Sequence, residues 1–370
     1  MTLLEILSID LPIIQAPMAG VSSPAMAAVV SNAGALGSIG VGATDAAGAR
    51  RMIAAVRERS KRSFNVNVFC HQPATVDNML EASWLERLCP HFERFGAEPP
   101  LVLKEIYRSF VEDDAMLAAL LADKPHVVSF HFGLPSSERI HALREAGIVL
   151  LASVTNVAEA RVVVKAGVDA VVAQGYEAGG HRGVFDPDAE DDCLGTMALT
   201  RLLVRQLDVP VIAAGGIMDG AGIAAALRLG ASAAQLGTAF IACTESDADA
   251  GYRETLASEA ANHTVMTRAI SGRPARCLRN WFTVLGAGIL PRQVPSYPIA
   301  YDAGKTLNAA AKAAHEAGYG AQWAGQGAPL ARELPAAELV AVLAAELRHV
   351  FSDPPIKEFQ WQPQQQSPHR

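Results

Sequence analysis

Three segments of the chain share one pattern: REAGIVLLASV (144–154), VKAGVDAVVAQG (164–175) and LRLGASAAQLGTAF (227–240). Each begins at the end of a predicted helix, passes through a glycine and small residues into an apolar strand, and finishes at a polar residue or a glycine. A helix is predicted to lead into the second segment. Asn156 followed by Glu159 is typical of its start, and Gly167, within the segment, is typical of its end. Such strict alternation of helices and strands requires a parallel sheet with helical crossovers.

Eight short apolar runs with little alternation are typical of strands that are buried on both faces of a parallel sheet. They lie at 12–17, 35–40, 64–70, 127–133, 148–154, 170–174, 210–214 and 233–240. Eight strand-helix units favour an α/β fold of the (β/α)8 TIM-barrel type, and an open doubly wound sheet is the structural alternative.

Two regions fall outside the repeat and define the predicted domains. We expect the barrel to occupy residues 1–243, with a long insertion at 74–126. Residues 244–350 predict a helical cap or extension over the active site. Residues 351–370 are polar and rich in proline and glutamine, which predicts a flexible tail.

Composition narrows the class of partner. The net charge is −7 and no run of five basic residues occurs, so neither nucleic acid nor an anionic membrane is expected to bind. Five scattered cysteines without a CxxC pair argue against a disulfide framework and a metal site. No secretory signal and no apolar run near the roughly 18 residues of a membrane span is present. We therefore predict a cytoplasmic monomer or homodimer that acts on a small molecule.

Glycines at two successive strand ends predict a phosphate site. Gly215 and Gly216 follow the seventh strand, and Gly237 and Thr238 follow the eighth. In a TIM barrel these loops often hold phosphate, since free backbone N–H groups and a helix start attract an anion. The alternative is that the glycines serve only tight turns. The first strand is followed by QAPMAG rather than GxGxxG, which argues against a Rossmann dinucleotide site.

The strand-end motifs as a set resemble the nitronate monooxygenase family, formerly called 2-nitropropane dioxygenases, which are FMN enzymes on a TIM barrel. The resemblance covers roughly residues 10–330. It is carried by PIIQAPMAGVSSPAMAAVVSNAGALGSIG (12–40), FNVNVF (64–69), SFHFGLP (129–135), AQGYEAGGHRG (173–183), AAGGIMDGAGIAAALRLGASAAQLGTAF (213–240), YPIAYDAGK (297–305) and WAGQG (323–327).

The resemblance implies an FMN site at the mouth of the barrel. It implies that the FMN phosphate is held at Gly216, Gln235, Gly237 and Thr238. Gly215 and Leu236, at the same two strand ends, are also expected to contact the cofactor. Asn67 and Gln174 would face the polar edge of the flavin, although both amides could instead bind loop backbone. Gly179 and Gly180 would allow close backbone contact. Ala16, Pro17 and Met18 could form an apolar wall for the rings.

His181 is the catalytic residue that the resemblance implies, although a lone loop histidine is usually a solvated surface group. Its ordinary pKa near 6.5 suits it to accept a proton from the carbon beside a nitro group, or to hold an anion once protonated. His131 ends the fourth strand and would lie in the mouth or in the upper core. Arg182 and Glu177 are interpreted as charges that order the loop.

Further candidates lie in the cap. Tyr297, Tyr301 and Lys305 are spaced by four and would share one face of a helix. An ordinary solvated face is the alternative, but the resemblance implies a lid that binds substrate, joined by Tyr107 from the long insertion.

The activity that the resemblance implies is FMN-dependent oxidation of alkyl nitronates, such as propionate 3-nitronate, with O2 to a carbonyl compound and nitrite. An NAD(P)H-dependent FMN reductase of quinones or enoyl thioesters is the first alternative, because relatives on this barrel share the first-strand motif. A non-redox barrel that binds a sugar phosphate is the second. No barrel strand ends in lysine, so a helix start, His181 or Lys305 must supply positive charge near the flavin.

Overall fold

Eight parallel strands form the centre of the molecule, in a computed structural model that describes residues 1–352. These eight strands are β1 (Ile13–Gln15), β2 (Gly37–Gly40), β3 (Phe64–Phe69), β4 (Val127–His131), β5 (Val149–Val154), β6 (Ala170–Gln174), β8 (Val211–Ala214) and β9 (Ala233–Leu236). A second, smaller sheet contains β7 (Gly180–His181), β10 (Thr264–Thr267) and β11 (Ala275–Leu278). The large sheet has the order β1-β9-β8-β6-β5-β4-β3-β2. A parallel bridge between Ile14 and Leu36 joins its two edges. The predicted (β/α)8 TIM barrel is therefore confirmed.

Helices alternate with these strands. They are α1 (Leu3–Leu7), α2 (Pro24–Asn32), α3 (Ala46–Arg59), α4 (Asn78–Arg94), α5 (Asp114–Asp123), α6 (Ser137–Glu145), α7 (Val157–Ala166), α8 (Thr196–Gln206), α9 (Gly220–Arg228), α10 (Ala250–Leu256), α11 (Trp281–Leu285), α12 (Ile299–Ala313) and α13 (Ala336–Ser352). The α7 helix begins and ends as the sequence indicates: the side chain of Asn156 accepts the N–H of Glu159, and Gly167 has a φ of 90°.

The last helix completes the barrel, so the predicted end of the barrel at residue 243 is too early. Helix α13 packs against α9 and α2, the helices that follow the seventh and the first barrel strands. This is the place of the eighth barrel helix. The cap is thus inserted between the eighth strand and its helix, and α13 lies on the outside of the barrel rather than over the mouth. The apolar pattern of this helix was visible in the sequence, but its distance from β9 concealed its role.

The N-terminal end of the barrel is closed by α1. Leu3 and Leu7 of this helix are buried against inward-facing residues of the strands, among them Ile14 and Leu151. Burial of such side chains stabilises the fold by roughly 1.5–3 kcal/mol each. This closure leaves the C-terminal mouth as the open end of the barrel.

The cap over that mouth is mixed rather than purely helical. Strands β7, β10 and β11 form a small antiparallel sheet in which β7, from the loop after β6, pairs with β11. Helix α12 packs on α4 of the 74–126 insertion, with Trp84 and Leu307 in their shared core. Of the predicted tail, residues 351 and 352 end α13, and the rest lies outside the described residues.

Within residues 1–352, no helix is both long enough and apolar enough to cross a membrane.

Candidate active site

A cavity of about 490 Å³ lies at the C-terminal mouth of the barrel, beneath the cap. Its volume falls in the range of sites for small ligands and cofactors. The lining includes Ala16, Pro17, Met18, Asn67, Tyr107, His131, Gln174, Gly179, Gly180, His181, Gly215, Gly216, Gln235, Gly237, Thr238, Tyr297, Tyr301 and Lys305. The structure thus brings all but one of the residues predicted from the sequence into one cavity.

Leu236 is the exception, because its side chain does not line the cavity. The side chain is 1% exposed and packs in the core with Ile13 and Phe240, while its carbonyl accepts the N–H of Ala16 at 2.8 Å. Side chains alternate between the two faces of a strand. Because Gln235 and Gly237 face the cavity, Leu236 must point away from it.

Backbone N–H groups are available at the ends of β8 and β9. Gly215 and Gly216 have φ values of 124° and 69°, a region that favours glycine. Within the described chain, the N–H groups of Gly216, Gly237 and Thr238 donate to no protein acceptor. Three unpartnered donors beside one cavity can bind an anion such as a phosphate.

The start of α9, by contrast, is already neutralised. Asp219 accepts the N–H of Gly222 and Glu346 of α13 accepts the N–H of Gly220, both at 2.8 Å. Arg332 forms an ion pair with Glu346 at 2.6 Å. Two carboxylates therefore occupy the positive end of this helix, and the loop N–H groups are the anion donors that remain.

The two strand-end amides are both engaged with the protein. Gln174 donates from Nε2 to the His181 carbonyl at 3.0 Å, and its Oε1 accepts the N–H of Gly183 at 2.7 Å. Gln174 thus binds loop backbone, which is the alternative to a contact with the flavin. Asn67 donates from Nδ2 to the carbonyl and to Oγ of Ser129 at 3.1 and 2.9 Å, so it can offer only its oxygen to a ligand.

The loop after β6 is ordered by charges, as predicted. Arg182 is 2% exposed and binds both carboxylate oxygens of Asp191 at 2.7 and 3.1 Å. Glu177 accepts the N–H and the hydroxyl of Thr196. Both interactions fix the loop from outside the cavity.

Gly179 was expected to allow close contact of the backbone with the flavin, but it is the protein backbone that approaches it closely. A Cβ at this position would lie 2.4 Å from the N of Gly325 and 2.5 Å from the carbonyl carbon of Ala324. The close approach is thus to the backbone of the 323–327 segment. At Gly180, φ is 74°, and that conformation is what requires glycine there.

His181 lies on β7, where pairing with Ala275 of β11 fixes its backbone. The ring is half-buried and lines the cavity, with Nε2 2.8 Å from Oγ of Ser271. Aromatic rings surround it, at centroid distances of 5.0 Å for Trp323 and 5.4 Å for Tyr297. Burial and the nearby groups His131, Arg273 and His71 hold the pKa of His181 well below its ordinary value. The imidazole is therefore uncharged at neutral pH.

His131 also lies at the cavity and supports the same loop. Its Nε2 is 3.3 Å from the carbonyl oxygen of His181, so this nitrogen carries the proton that it donates. Burial, with a smaller contribution from Arg273, lowers the pKa of His131 to about 4. This residue positions His181 and adds no charge.

Three phenols and a lysine close the cavity from the cap. Tyr301 and Lys305 share a face of α12, and Tyr297 lies just before the helix. The Lys305 ammonium is 5.0 Å from the ring centroid of Tyr107, and burial lowers its pKa. The Tyr297 hydroxyl is buried without a hydrogen-bond partner among the described residues. A buried hydroxyl without a partner is uncommon in folded proteins, and this one belongs to a residue that lines the cavity.

Four residues around His181 were not predicted from the sequence: Phe132, Ser271, Arg273 and Trp323. Phe132 has a φ of 74° and contacts His131, His181 and the Arg273 guanidinium. A non-glycine residue with this backbone conformation is uncommon and often functional. Phe132 and Trp323 lie in motifs that carried the resemblance, but nothing in the spacing of Ser271 or Arg273 relates them to His181.

Comparison with known proteins identifies the family of the chain. A family model described as nitronate monooxygenase matches residues 1–346. The chain belongs to the nitronate monooxygenase family. It is 65% identical to a nitronate monooxygenase of Paraburkholderia phytofirmans, with 94% of each protein covered, and 54% identical to one of Pseudomonas aeruginosa, with 93% of this chain and 98% of the relative covered.

A solved structure of the nitroalkane oxidase from Streptomyces ansochromogenes shares the fold of the whole chain. Its TM-score is 0.86 at 43% identity, with 94% of this chain and 98% of that chain covered. Together these relatives confirm the family resemblance and the barrel fold predicted from the sequence.

Proposed function

We propose that this protein oxidises alkyl nitronates with O2, using FMN, to give a carbonyl compound and nitrite. The observation that carries the proposal is that the unpartnered N–H groups at the β8 and β9 ends and the uncharged ring of His181 line one cavity. The N–H groups can bind a phosphate, and the imidazole can accept a proton. Family membership supports the choice of nitronates as the substrate class.

The residues at the mouth fit FMN. Gly216, Gly237 and Thr238 would hold its phosphate through their N–H groups, since a bound phosphate would satisfy donors that otherwise have no partner. Ala16, Pro17 and Met18 would lie against its ring system. When bound, FMN supplies the electron transfer and the reaction with O2 that amino-acid side chains cannot supply.

The protein's own contribution begins with charge. Lys305, at the cavity entrance, attracts an anionic nitronate, and the phenols of Tyr107 and Tyr301 beneath it limit the access of water. Tyr297 also lines the cavity, and its buried, unpartnered hydroxyl would donate a hydrogen bond to a nitro oxygen when the ring turns toward the substrate. A buried donor that no protein group satisfies becomes satisfied only when a ligand binds.

His181 performs the proton transfer. An uncharged imidazole can accept the proton of the carbon beside the nitro group when the neutral nitroalkane enters. A preformed nitronate has already lost this proton. Turnover of nitroalkanes should therefore depend on His181 far more than turnover of nitronates.

The direct experiment compares electron donors for the FMN-loaded protein. Under anaerobic conditions, a nitronate should bleach the visible flavin absorption and NADH should leave it unchanged; readmission of O2 with the nitronate should release nitrite. Fast bleaching by NADH alone would instead indicate a reductase. A colourless protein that stays colourless after FMN is added would indicate a barrel that binds some other phosphate compound.

A further inference from the structure

The segment Ser271–Gly272–Arg273, between β10 and β11, contacts His181 from the side away from the cavity. Ser271 is fully buried and Arg273 is 3% exposed, and neither lines the cavity. The Ser271 hydroxyl contacts Nε2 of His181, and the Arg273 guanidinium lies 4.3 Å from the ring centroid of Phe132. Phe132 in turn meets the imidazole edge-on at 5.6 Å.

We propose that this segment positions His181 as an uncharged base: Ser271 accepts the Nε2 proton and so presents the Nδ1 lone pair to the cavity, while the fixed charge of Arg273 disfavours a protonated ring. The inference rests on the proposed function, because it assumes that the substrate lies on the cavity side of His181. Both residues act through His181 and touch no substrate.

The tautomer follows from the hydrogen bonds that each polar group can make. The carbonyl oxygen of Arg273 can only accept, and in the described chain its sole donor is the Ser271 hydroxyl at 3.3 Å. If that hydroxyl donated to Nε2 instead, a buried carbonyl would be left without a partner, which costs free energy. The arrangement that satisfies every group is a chain from Nε2–H to Oγ–H to the carbonyl.

The other ring nitrogen is then the reactive one. Nδ1 of His181 makes no hydrogen bond to the residues that the structure describes, and it is not among their fully buried unpartnered atoms. Since the ring lines the cavity, Nδ1 is open to it. A neutral imidazole with its proton on Nε2 offers a lone pair at Nδ1.

The charge of Arg273 is not neutralised by an ion pair with any described residue. Its guanidinium donates to the carbonyl of Val184, its Nε has no partner, and it forms no ion pair within residues 1–352. Burial lowers its pKa to about 10, so it stays charged at neutral pH. An unpaired cation one aromatic ring away from the imidazole opposes protonation of that imidazole.

No carboxylate offsets this effect at His181 itself. Asp188, which pairs with Arg268 at 2.8 Å, and Glu159 favour the charged form of Arg273 without forming an ion pair with it in the described chain. The ionisable groups that face His181 come from four other elements: His71 after β3, His131 at the end of β4, Arg273 before β11, and Tyr297 and Tyr301 at α12. Arg182 directly follows His181 at the end of β7. None of the groups that face His181 is a carboxylate, so they favour the uncharged ring or leave it unaffected.

The test is proton-nitrogen correlation spectroscopy of the FMN-loaded protein labelled with ¹⁵N in its histidines. Loss of one signal in His181→Asn assigns the residue. The expected spectrum shows the Nε2–H tautomer and a titration midpoint below the ordinary histidine value near 6.5. An Nδ1–H tautomer, or a midpoint at or above that value, would overturn the proposal. These signals are read without turnover, so they can fail while nitronate oxidation stands.

Variants separate the two residues. Ser271→Ala should mix the tautomers and lower kcat/KM for a nitroalkane about tenfold, the equivalent of about 1.4 kcal/mol. Arg273→Met, or Arg273→Gln if the first does not fold, should raise the His181 midpoint, and Arg273→Lys should keep it near the wild-type value. A single wild-type tautomer in Ser271→Ala, or an unchanged midpoint in folded Arg273→Met or Arg273→Gln, would contradict the assigned roles.

Discussion

The two halves of the cavity are built from different parts of the chain. The strand-tip half (Ala16–Met18, Gly215, Gly216, Gln235, Gly237 and Thr238) offers mainly backbone N–H groups and small side chains at the ends of barrel strands. The cap half (His181, Tyr297, Tyr301, Lys305 and Trp323) offers large side chains carried by segments that are distant in sequence. Under the proposed function, the strand-tip half would hold the cofactor and the cap half would carry out the chemistry on it.

The largest expected effect comes from breaking the cap half alone. His181→Asn should lower kcat/KM for nitroalkanes about a thousandfold, or about 4 kcal/mol, because the proton acceptor is lost. Bound FMN, measured by its visible absorption, should be unchanged because the strand-tip half is intact. His141→Asn, at an exposed position, is the control and should alter neither quantity. Equal turnover of His181→Asn and wild type would remove His181 from the mechanism.

Acid should have the next largest effect, through His71, which follows β3 of the barrel and contacts Tyr297 of the cap half. Burial lowers the pKa of His71 to about 4, and the ring is 1% exposed. Since the unfolded chain binds this proton near pH 6.5 and the folded chain only near pH 4, stability falls as the pH falls through this window. The contribution of His71 is at most about 3 kcal/mol.

Urea unfolding between pH 7.5 and 4.5 measures this effect. His71→Leu should show a shallower loss of the unfolding free energy with falling pH than wild type. Parallel curves for wild type and His71→Leu would mean that His71 does not titrate abnormally.

A substitution that strains the backbone at Gly216 should impair cofactor binding by the strand-tip half. Gly216→Val places a β-branched residue at φ 69° with its Cβ 3.2 Å from that of Glu177, and it should cost about 2 kcal/mol of stability and weaken FMN binding at least tenfold. Gly96→Val is the matched control, because Gly96 has a φ of 63° and open space around it. The control should lose stability and keep FMN; the same loss of FMN in both variants would contradict the phosphate assignment.

The smallest expected effect tests whether Tyr297 of the cap half contacts the substrate. Tyr297→Phe removes a hydroxyl that has no protein partner, so its stability should match that of wild type, while kcat/KM for a nitronate should fall about tenfold. Tyr319→Phe, which loses a 2.8 Å hydrogen bond to His91 outside the cavity, should behave in the opposite way. A stability loss in Tyr297→Phe without a kinetic effect would assign its hydroxyl a structural role.

The strand-tip half could be predicted because strand, glycine and position in the repeat are local signals. Gly216 and Gly237 follow apolar runs directly, and the barrel brings the ends of neighbouring parallel strands together. Leu236 was predicted to lie at the cavity beside Gln235 and Gly237, but the alternation of side chains along β9 places its side chain in the core. The role of α13 was missed because the whole cap separates this helix from its strand.

The cap half could be predicted only through the family resemblance. Ser271 lies 90 residues from His181, and only the pairing of β7 with β11 brings them together. Such pairing of short strands has no signature in a single sequence. Gln174 shows the same limit at short range, because its residue type suits either a ligand or loop backbone, and only the folded loop decides between them.

The most direct measurement of the central claim is an experimental structure of the yellow, FMN-loaded protein. The account predicts phosphate oxygens within hydrogen-bond distance of the N–H groups of Gly216, Gly237 and Thr238, and the flavin rings between Met18 and His181. A phosphate bound elsewhere, or an imidazole of His181 turned away from the flavin, would contradict it.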